Sequence, residues 1–399
     1  MAEQFLDYDK ALTCIHCGLC LAHCPTYLET GNENDSPRGR IYTMRAIQND
    51  RLKLDATTVK HLDLCLGCRA CEAVCPSGVH YGKLLETTRE HIEKNYRRSV
   101  FQTFLRKIFI EQVFPYPWRT TMAIAPVKLL RALGLGALLP EIAAFVPQEA
   151  RSVKLPEVSP ATAPKRGRVG LITGCVQSVM FGETNAATVK LLNRAGYDVV
   201  TPREQVCCGA LYAHSGNLAS AREVARQNIK VFERAEVDLI VINAAGCGST
   251  LKEYGHLVGT DAGVKFAAKV KDLSEVLLPR QGKCATRVTF HDACHLAHAQ
   301  RITAQPRALV KAIAGDQYVE LPEAAICCGS AGSYNLTEPG MAGQLQRRKV
   351  ENILKTEALT VVTTNPGCIL QIRAGLKKAG ALDVRVVHLA DFLAETIRA

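Results

Sequence analysis

The chain has 399 residues, 47% of them apolar, with a formal net charge of +11 and 17 cysteines. That length predicts two or three domains with substantial cores, and the apolar content argues against extensive disorder. A secreted disulfide scaffold is not expected: such frameworks suit short chains with signal peptides, whereas Met1–Lys10 is acidic and has no long apolar run, so the cysteines point to metal ligation in a reducing cytoplasm.

Residues 1–99 read as a helical, two-cluster ferredoxin-like domain. Cys14, Cys17, Cys20 and Cys24 lead into Pro25, and Cys65, Cys68, Cys71 and Cys75 lead into Pro76. Both runs have the C-x2-C-x2-C-x3-C-P spacing of bacterial two-cluster ferredoxins, where three thiolates hold one [4Fe-4S] cluster and the fourth crosses to the other. Gaps of two let short turns aim successive sulfurs at one centre, and each proline restricts the chain just after a crossing cysteine. The expected ligand sets are Cys14, Cys17, Cys20 and Cys75 for one cluster, and Cys24, Cys65, Cys68 and Cys71 for the other. Zinc also uses paired C-x2-C spacings, but it needs four ligands and has no use for the repeated fourth cysteine with its proline. A pair of clusters reads better as electron transfer than as a structural staple.

Between the runs, Ser36-Pro37-Arg38-Gly39-Arg40 precedes a segment, Ile41 to Ile47, with helical spacing. Arg38 and Arg40 are candidates for offsetting cluster charge, with a solvated turn as the alternative. His16 and His23 lie inside the first run and read as surface or supporting residues, since cysteines already meet the ligand need. Leu84 to Arg98 has helical spacing and is expected to pack back on this domain.

Residues 100–148 form an apolar connector or docking segment. Val100, Phe101, Phe104, Leu105, Ile108, Phe109 and Val113 make one stripe, and a second apolar stretch runs from Met122 to Val146, broken by Pro126, Lys128, Arg131, Pro140 and Glu141. No membrane span is expected, because a span wants about twenty uninterrupted apolar residues. Three roles remain open: core packing, subunit docking through Phe101, Phe104, Phe109 and Trp118, or interfacial membrane contact through Arg106, Lys107, Arg119, Lys128 and Arg131. Residues 149–167, rich in Pro, Ala and Lys, read as a linker.

The remainder is an internal duplication, with units at 168–280 and 281–399. Cys175, Cys207-Cys208-Gly209 and Cys247 in the first are answered by Cys294, Cys327-Cys328-Gly329 and Cys368 in the second, at an offset of about 120 residues, as expected for two equivalent folding units. Each unit alternates short β-branched runs, Val237 to Ile242 and Leu359 to Thr363 among them, with helical stretches such as Gly182 to Ala195 and Glu338 to Leu354. That pattern predicts a parallel or mixed sheet covered by helices, with ligands gathered at strand C-terminal ends. The whole chain is therefore expected to be an α+β, multidomain protein: a helical ferredoxin-like domain followed by two α/β cysteine-rich units.

The eight cysteines of the duplication have three readings: a further iron–sulfur centre, thiol/disulfide redox groups, or buried apolar filler. A redox or metal function is favoured, and Cys294, Cys327, Cys328 and Cys368 are preferred over Cys175, Cys207, Cys208 and Cys247. Only the second unit brings His291, Asp292 and His295 to its first cysteine; the first has Thr173 and Gln177 there.

The paired cluster runs, the Ser36–Arg40 segment and the two Cys-Cys-Gly units together resemble the iron–sulfur subunits of bacterial glycolate oxidase, also called glycolate dehydrogenase. The same architecture occurs in D-lactate dehydrogenase-like iron–sulfur proteins, the anaerobic glycerol-3-phosphate dehydrogenase small subunit and heterodisulfide reductase subunits. In the last group the module ends in CxxC, whereas Cys247-Gly248-Ser249-Thr250 and Cys368-Ile369-Leu370-Gln371 lack the final cysteine. The resemblance implies that separate flavin-binding subunits oxidise glycolate and that this chain carries electrons toward a quinone or other acceptor, on the cytoplasmic face of the inner membrane. The alternatives are a D-lactate or glycerol-3-phosphate dehydrogenase subunit and a thiol/disulfide reductase. No Gly-x-Gly-x-x-Gly fingerprint is present, so no flavin or NAD is expected on this chain. Two bound clusters lower the net charge by roughly four. The remaining positive charge is spread along the chain without a recognition motif, so no nucleic acid partner is expected.

Overall fold

The structure is a computed structural model that describes residues 4–135 and 146–396. Among the described residues no strand precedes Val158, so the cysteine runs sit in a helical frame. Ser36 starts the helix Pro37–Gln48 by accepting a hydrogen bond from Gly39 N, with Pro37 in the first turn where its missing N–H costs nothing. Ile41, Met44 and Ile47 fall on one face of that helix and are buried. They meet Val59 and Leu62 of the helix Ala56–Asp63 and Leu84, Leu85 and Ile92 of the helix Tyr81–Asn95, in a core that also takes in Cys65 and Cys71.

The connector begins as the helix Val100–Phe104 and continues in π-helical pairing over Leu105–Val113. Pairing to i+5 widens the turn and shifts the apolar stripe out of register. Ile110 is thus buried, while Val100, Phe101, Phe104 and Ile108 stay exposed and Leu105, Phe109 and Val113 lie between. The helix Pro117–Ala132 follows, burying Ile124 and Val127 and exposing Trp118, Met122 and Leu129. Pro140 and Glu141 lie outside the described residues. No helix among the described residues is long and apolar enough to cross a membrane.

The first unit has a five-stranded sheet: β1 (Val158–Ser159), β2 (Gly167–Leu171), β3 (Tyr197–Val200), β4 (Leu239–Ile242) and β5 (Val270–Asp272), in the order β1-β3-β2-β4-β5. Only β1 is antiparallel. It comes from the stretch expected to be a linker, which instead pairs with β3, Val158 opposite Val200. The second unit contains β6 (Val288–Phe290), β7 (Thr360–Thr363) and β8 (Arg385–His388), all parallel in that order. A single bridge between Tyr318 and Val288 stands where β3 lies in the first unit. Strand order therefore reverses between β2 and β4 and again between β6 and β7, the crevice where open α/β sheets hold ligands.

The units are fused rather than strung apart. Val169 and Val241 share a core with Val288, Phe290 and Val362. Thr184 Oγ1 donates to Asp391 Oδ2 at 2.7 Å, Ala245 N to Thr364 O at 3.1 Å, and the His388 ring lies 2.6 Å from Asn243 O. The stretches after β4 and β7 consequently face each other.

Candidate metal centres

The two N-terminal cysteine runs adopt the same local backbone. His16 and Gly18 flank Cys17 in left-handed conformation, and Gly67 and Arg69 flank Cys68 in the same way. Two reversals around the middle cysteine curl each run, and the sulfurs gather on hollows. One, of about 420 Å³, is lined by Cys14, Cys17, Cys20, Cys71 and Cys75. The other, of about 300 Å³, is lined by Cys24, Cys65, Cys68 and Cys71, with Arg40 and Tyr81. Cys71 borders both. The first opens near the surface: Cys17 is exposed, with Ile15 and Leu19 exposed beside it, whereas the cysteines of the second are buried.

The donor set fits iron–sulfur clusters. Apart from the His16 ring and the hydroxyls of Thr26, Ser77 and Tyr81, the metal-donor side chains lining these hollows are soft sulfurs, and backbone N–H groups point at the sulfurs: Gly67 N lies 3.4 Å from Cys65 Sγ and Val79 N lies 3.5 Å from Cys75 Sγ. Arg40 is fully buried, donating to His61 O at 2.7 Å and Thr26 Oγ1 at 3.1 Å, 3.7 Å from Asp35. Burial alone would push the Cys65 thiol up, but Arg40 and Arg89 hold it below its ordinary value. Arg40 is thus no solvated turn residue. Arg38 sits at the mouth of the first hollow, gripped by Glu33 at 2.6 Å and donating to His16 O at 3.2 Å. His16 and His23 are exposed.

Each unit of the duplication carries a string of four thiols in the same order. Cys175 Sγ lies 3.5 Å from Cys207 Sγ, and Cys208 neighbours Cys207 and Cys247. Likewise Cys294, Cys327, Cys328 and Cys368 follow one another as neighbouring free thiols, each shifting the next. Cys175 and Cys294 follow β2 and β6, and Cys247 and Cys368 lie in the first turns of helices after β4 and β7, so both strings sit at switch points. The double cysteines arrive on longer loops whose glycine has a physical reason: Gly209 and Gly329 have φ of 87° and 86°. A Cβ on Gly329 would lie 2.6 Å from Ala342 O, so the loop lies directly on the helix Pro339–Leu354.

The flanking residues part company. His295 Nδ1 lies 3.5 Å from Cys294 Sγ and its ring is tilted against that of His214, centroids 5.0 Å apart, while His291 turns to Cys328 and Cys368. Asp292 is taken up by Arg307 at 2.6 and 2.8 Å. In the first unit Thr173 N and Oγ1 bond to Gln205, and Gln177 is buried. Sequence reasoning missed Tyr81, Arg89 and Lys349; a lysine on the apolar face shared with Leu345 and Ile353 is the signal that could have found the last.

The second hollow also abuts the second unit. Leu66, Cys68 and Ala70 share an apolar cluster with Cys294, Cys327 and Tyr334, and Tyr334 donates to Leu64 O at 2.7 Å. Burial first, then the neighbouring Cys294, pushes the Cys68 thiol well up.

Residues 10–79 match the 4Fe-4S dicluster domain family, and residues 169–252 and 288–373 match the cysteine-rich CCG domain family. A probable glycolate oxidase iron–sulfur subunit of Bacillus subtilis strain 168 is 40% identical, covering 98% of this chain and 95% of that protein. The glycolate oxidase iron–sulfur subunit of Escherichia coli strain K12 is 35% identical over 95% of this chain and 93% of its own. This chain belongs to the glycolate oxidase iron–sulfur subunit family. A more distant relative, lactate utilization protein A of Oceanobacillus iheyensis, is 29% identical over only 57% of this chain.

Proposed function

We propose that this chain is the electron-carrying subunit of a glycolate-oxidising complex, receiving electrons from a separate flavin-binding subunit and passing them toward a quinone or other respiratory acceptor. The observation that carries the reading is the pair of cysteine-lined hollows sharing Cys71, one reaching the surface at Cys17 and the other buried against the second unit. Near full-length similarity to glycolate oxidase subunits, against partial similarity to a lactate utilization protein, favours glycolate as the substrate of the complex.

In this reading Cys14, Cys17, Cys20 and Cys75 hold one [4Fe-4S] cluster, and Cys24, Cys65, Cys68 and Cys71 the other. Such clusters supply one-electron storage at a potential set by charge, burial and hydrogen bonds to sulfur. The chain's own part is to hold the thiolates in register, exclude water from the second hollow and place Arg40 and Arg89 where they favour the anionic sulfur of Cys65. Cys294, Cys327, Cys328 and Cys368, beside Cys68, are where a third iron–sulfur centre belongs. The alternative, thiol/disulfide reduction at the Cys-Cys-Gly cysteines, would use the same buried thiols.

Anaerobically purified protein is expected to carry at least about eight iron and eight acid-labile sulfide per chain. About four of each, or stoichiometric zinc, in folded protein would refute the two-cluster assignment. The chain alone is expected neither to bind flavin nor to oxidise glycolate; reduction of its visible iron–sulfur absorption by glycolate should require the flavin-binding partner. Reduction by glycolate without that partner would overturn the division of labour.

The exposed face of residues 100–133 is the docking surface in this reading. Arg106 is paired with Glu93 and Asp63, Arg119 with Gln112, Lys128 with Ala150 O and Arg131 with Pro147 O, which leaves four of the five cations committed within the chain rather than to lipid headgroups, with Lys107 exposed. Phe101, 69% exposed, and Trp118, 61% exposed, are the aromatic anchors. Replacing Phe101 and Phe104 with Ser is expected to abolish co-purification with the partner while leaving the iron content unchanged. An intact complex together with lost binding to anionic liposomes would instead make this face a membrane contact.

A further inference from the structure

The thiol strings of the two units are alike, but their buried surroundings are not. His291 stands where the first unit has Ile172, and Lys349, by its place in the helix, where the first has Asn228. Asn228 is an ordinary structural amide, bonded to Val206 N at 3.0 Å and to Cys207 O at 3.0 Å. Lys349 likewise bonds to backbone carbonyls of its own loop, but no such account covers His291.

His291 is fully buried. Its backbone N donates to Val362 O at 2.9 Å, which ties it to the end of β7, yet neither ring nitrogen has a hydrogen-bond partner. An imidazole left so in an apolar interior costs about 1–3 kcal/mol, and such groups persist where something else satisfies them. The ring points at a specific place: its nitrogen and the sulfurs of Cys328 and Cys368 all lie within 4.8 Å of one another. Three elements converge to make this so. His291 directly follows the last residue of β6, the double-cysteine loop brings Cys328, and the helix after β7 brings Cys368 in its first turn.

The surroundings match those of a metal-bound imidazole. A ligating histidine usually aims its other N–H at a carbonyl or carboxylate, which fixes the tautomer. The Ala324 carbonyl lies near the ring, outside hydrogen-bonding geometry but available to it. The same carbonyl receives Lys349 Nζ at 3.4 Å, with Glu323 O at 2.5 Å from that ammonium. Lys349, only 2% exposed, is thus fixed on the backbone carbonyls that lead into the double-cysteine loop.

We propose that the second unit holds a thiophilic transition-metal centre in which His291 is a ligand together with Cys328 and Cys368, so that the two cysteine-rich units differ in chemistry. One imidazole and two thiolates suit iron and zinc alike. The inference deepens the proposal of a third centre beside Cys68 and rests on it. Neither depends on the flavin partner.

The test is metal analysis, for iron and zinc, of the full chain purified anaerobically, beside His291→Ile and His291→Cys. Isoleucine is the residue the first unit tolerates at this position, and cysteine restores a donor. Wild type is expected to hold metal beyond the roughly eight irons of the N-terminal clusters. His291→Ile should lower retention of that extra metal against a chelator at least about tenfold while keeping the other irons, and His291→Cys should restore it. The metal analysis also tells iron from zinc. Wild type with the eight irons and no further metal would refute the third centre itself; extra metal retained equally by His291→Ile would refute only the histidine ligand. Should His291→Ile fail to fold, wild type grown on 15N-histidine decides by pulsed paramagnetic resonance of the reduced iron centre, or of cobalt in place of zinc. Absence of a histidine nitrogen coupling would overturn the proposal.

Discussion

Replacing Cys68 with Ser is expected to stop acceptor reduction by the assembled complex while glycolate continues to reduce the flavin of the partner. Cys68 lines the second hollow and simultaneously shares an apolar cluster with Cys294 and Cys327, so it lies at the boundary between the helical domain and the second unit. A serine hydroxyl is a harder and poorer donor for iron than a thiolate. It would also sit against apolar neighbours, including Leu66 and Ala70, that suit sulfur better than oxygen. The measurement is a comparison of flavin bleaching with quinone-analogue reduction in the same anaerobic preparation. Cys284→Ser, at a partly buried cysteine outside both repeated patterns, serves as the control. Undiminished acceptor reduction by the Cys68 variant would rule out the conduit.

The second large effect is expected at Arg40. Its guanidinium is buried between His61 O, Thr26 Oγ1 and Asp35, and it faces Cys24 and Cys65 across the wall of the second hollow. Arg40→Met retains much of the volume but leaves Asp35 with only His61, 2.8 Å away, and removes the cation that lowers the Cys65 thiol. Breaking a buried pair from one side costs about 3–5 kcal/mol, because the remaining charge is stranded. Denaturant unfolding under anaerobic conditions should therefore show a loss of that size, together with reduced iron content. Adding Asp35→Asn should recover part of the stability without restoring the charge at Cys65, so iron would stay low. Wild-type stability in Arg40→Met would mean that the pair contributes nothing. Full recovery of iron in the double variant would mean that Arg40 acts only through folding.

The sequence by itself determined the parts whose physics is local. Thiolates spaced by two residues can only turn toward a common centre, and so the two N-terminal runs were legible as cluster motifs. The helix after Ser36 was readable from the helical spacing of Ile41 to Ile47, whereas its Ser36 cap was seen only in the structure. The repeated cysteines, with a glycine after each pair, identified two equivalent α/β units, and the left-handed backbone at Gly209 and Gly329 explains why the triplet recurs.

What only the tertiary structure decided are relations between distant segments, for which periodicity holds no signal. That Val158 and Ser159 join a sheet depended on the free edge of β3. Which face of the connector stays exposed depended on π-helical pairing over Leu105–Val113, invisible in an apolar count. His291 and His295 are four residues apart and read as one group; the chain turns between them, sending one ring to Cys328 and Cys368 and the other to Cys294 and His214. Above all, Cys68 meets Cys294 and Cys327 because Leu64 is held by Tyr334 across the domain boundary. That contact joins residues more than two hundred positions apart, and packing and desolvation, which select it, act on the folded surface and leave no spacing in the chain.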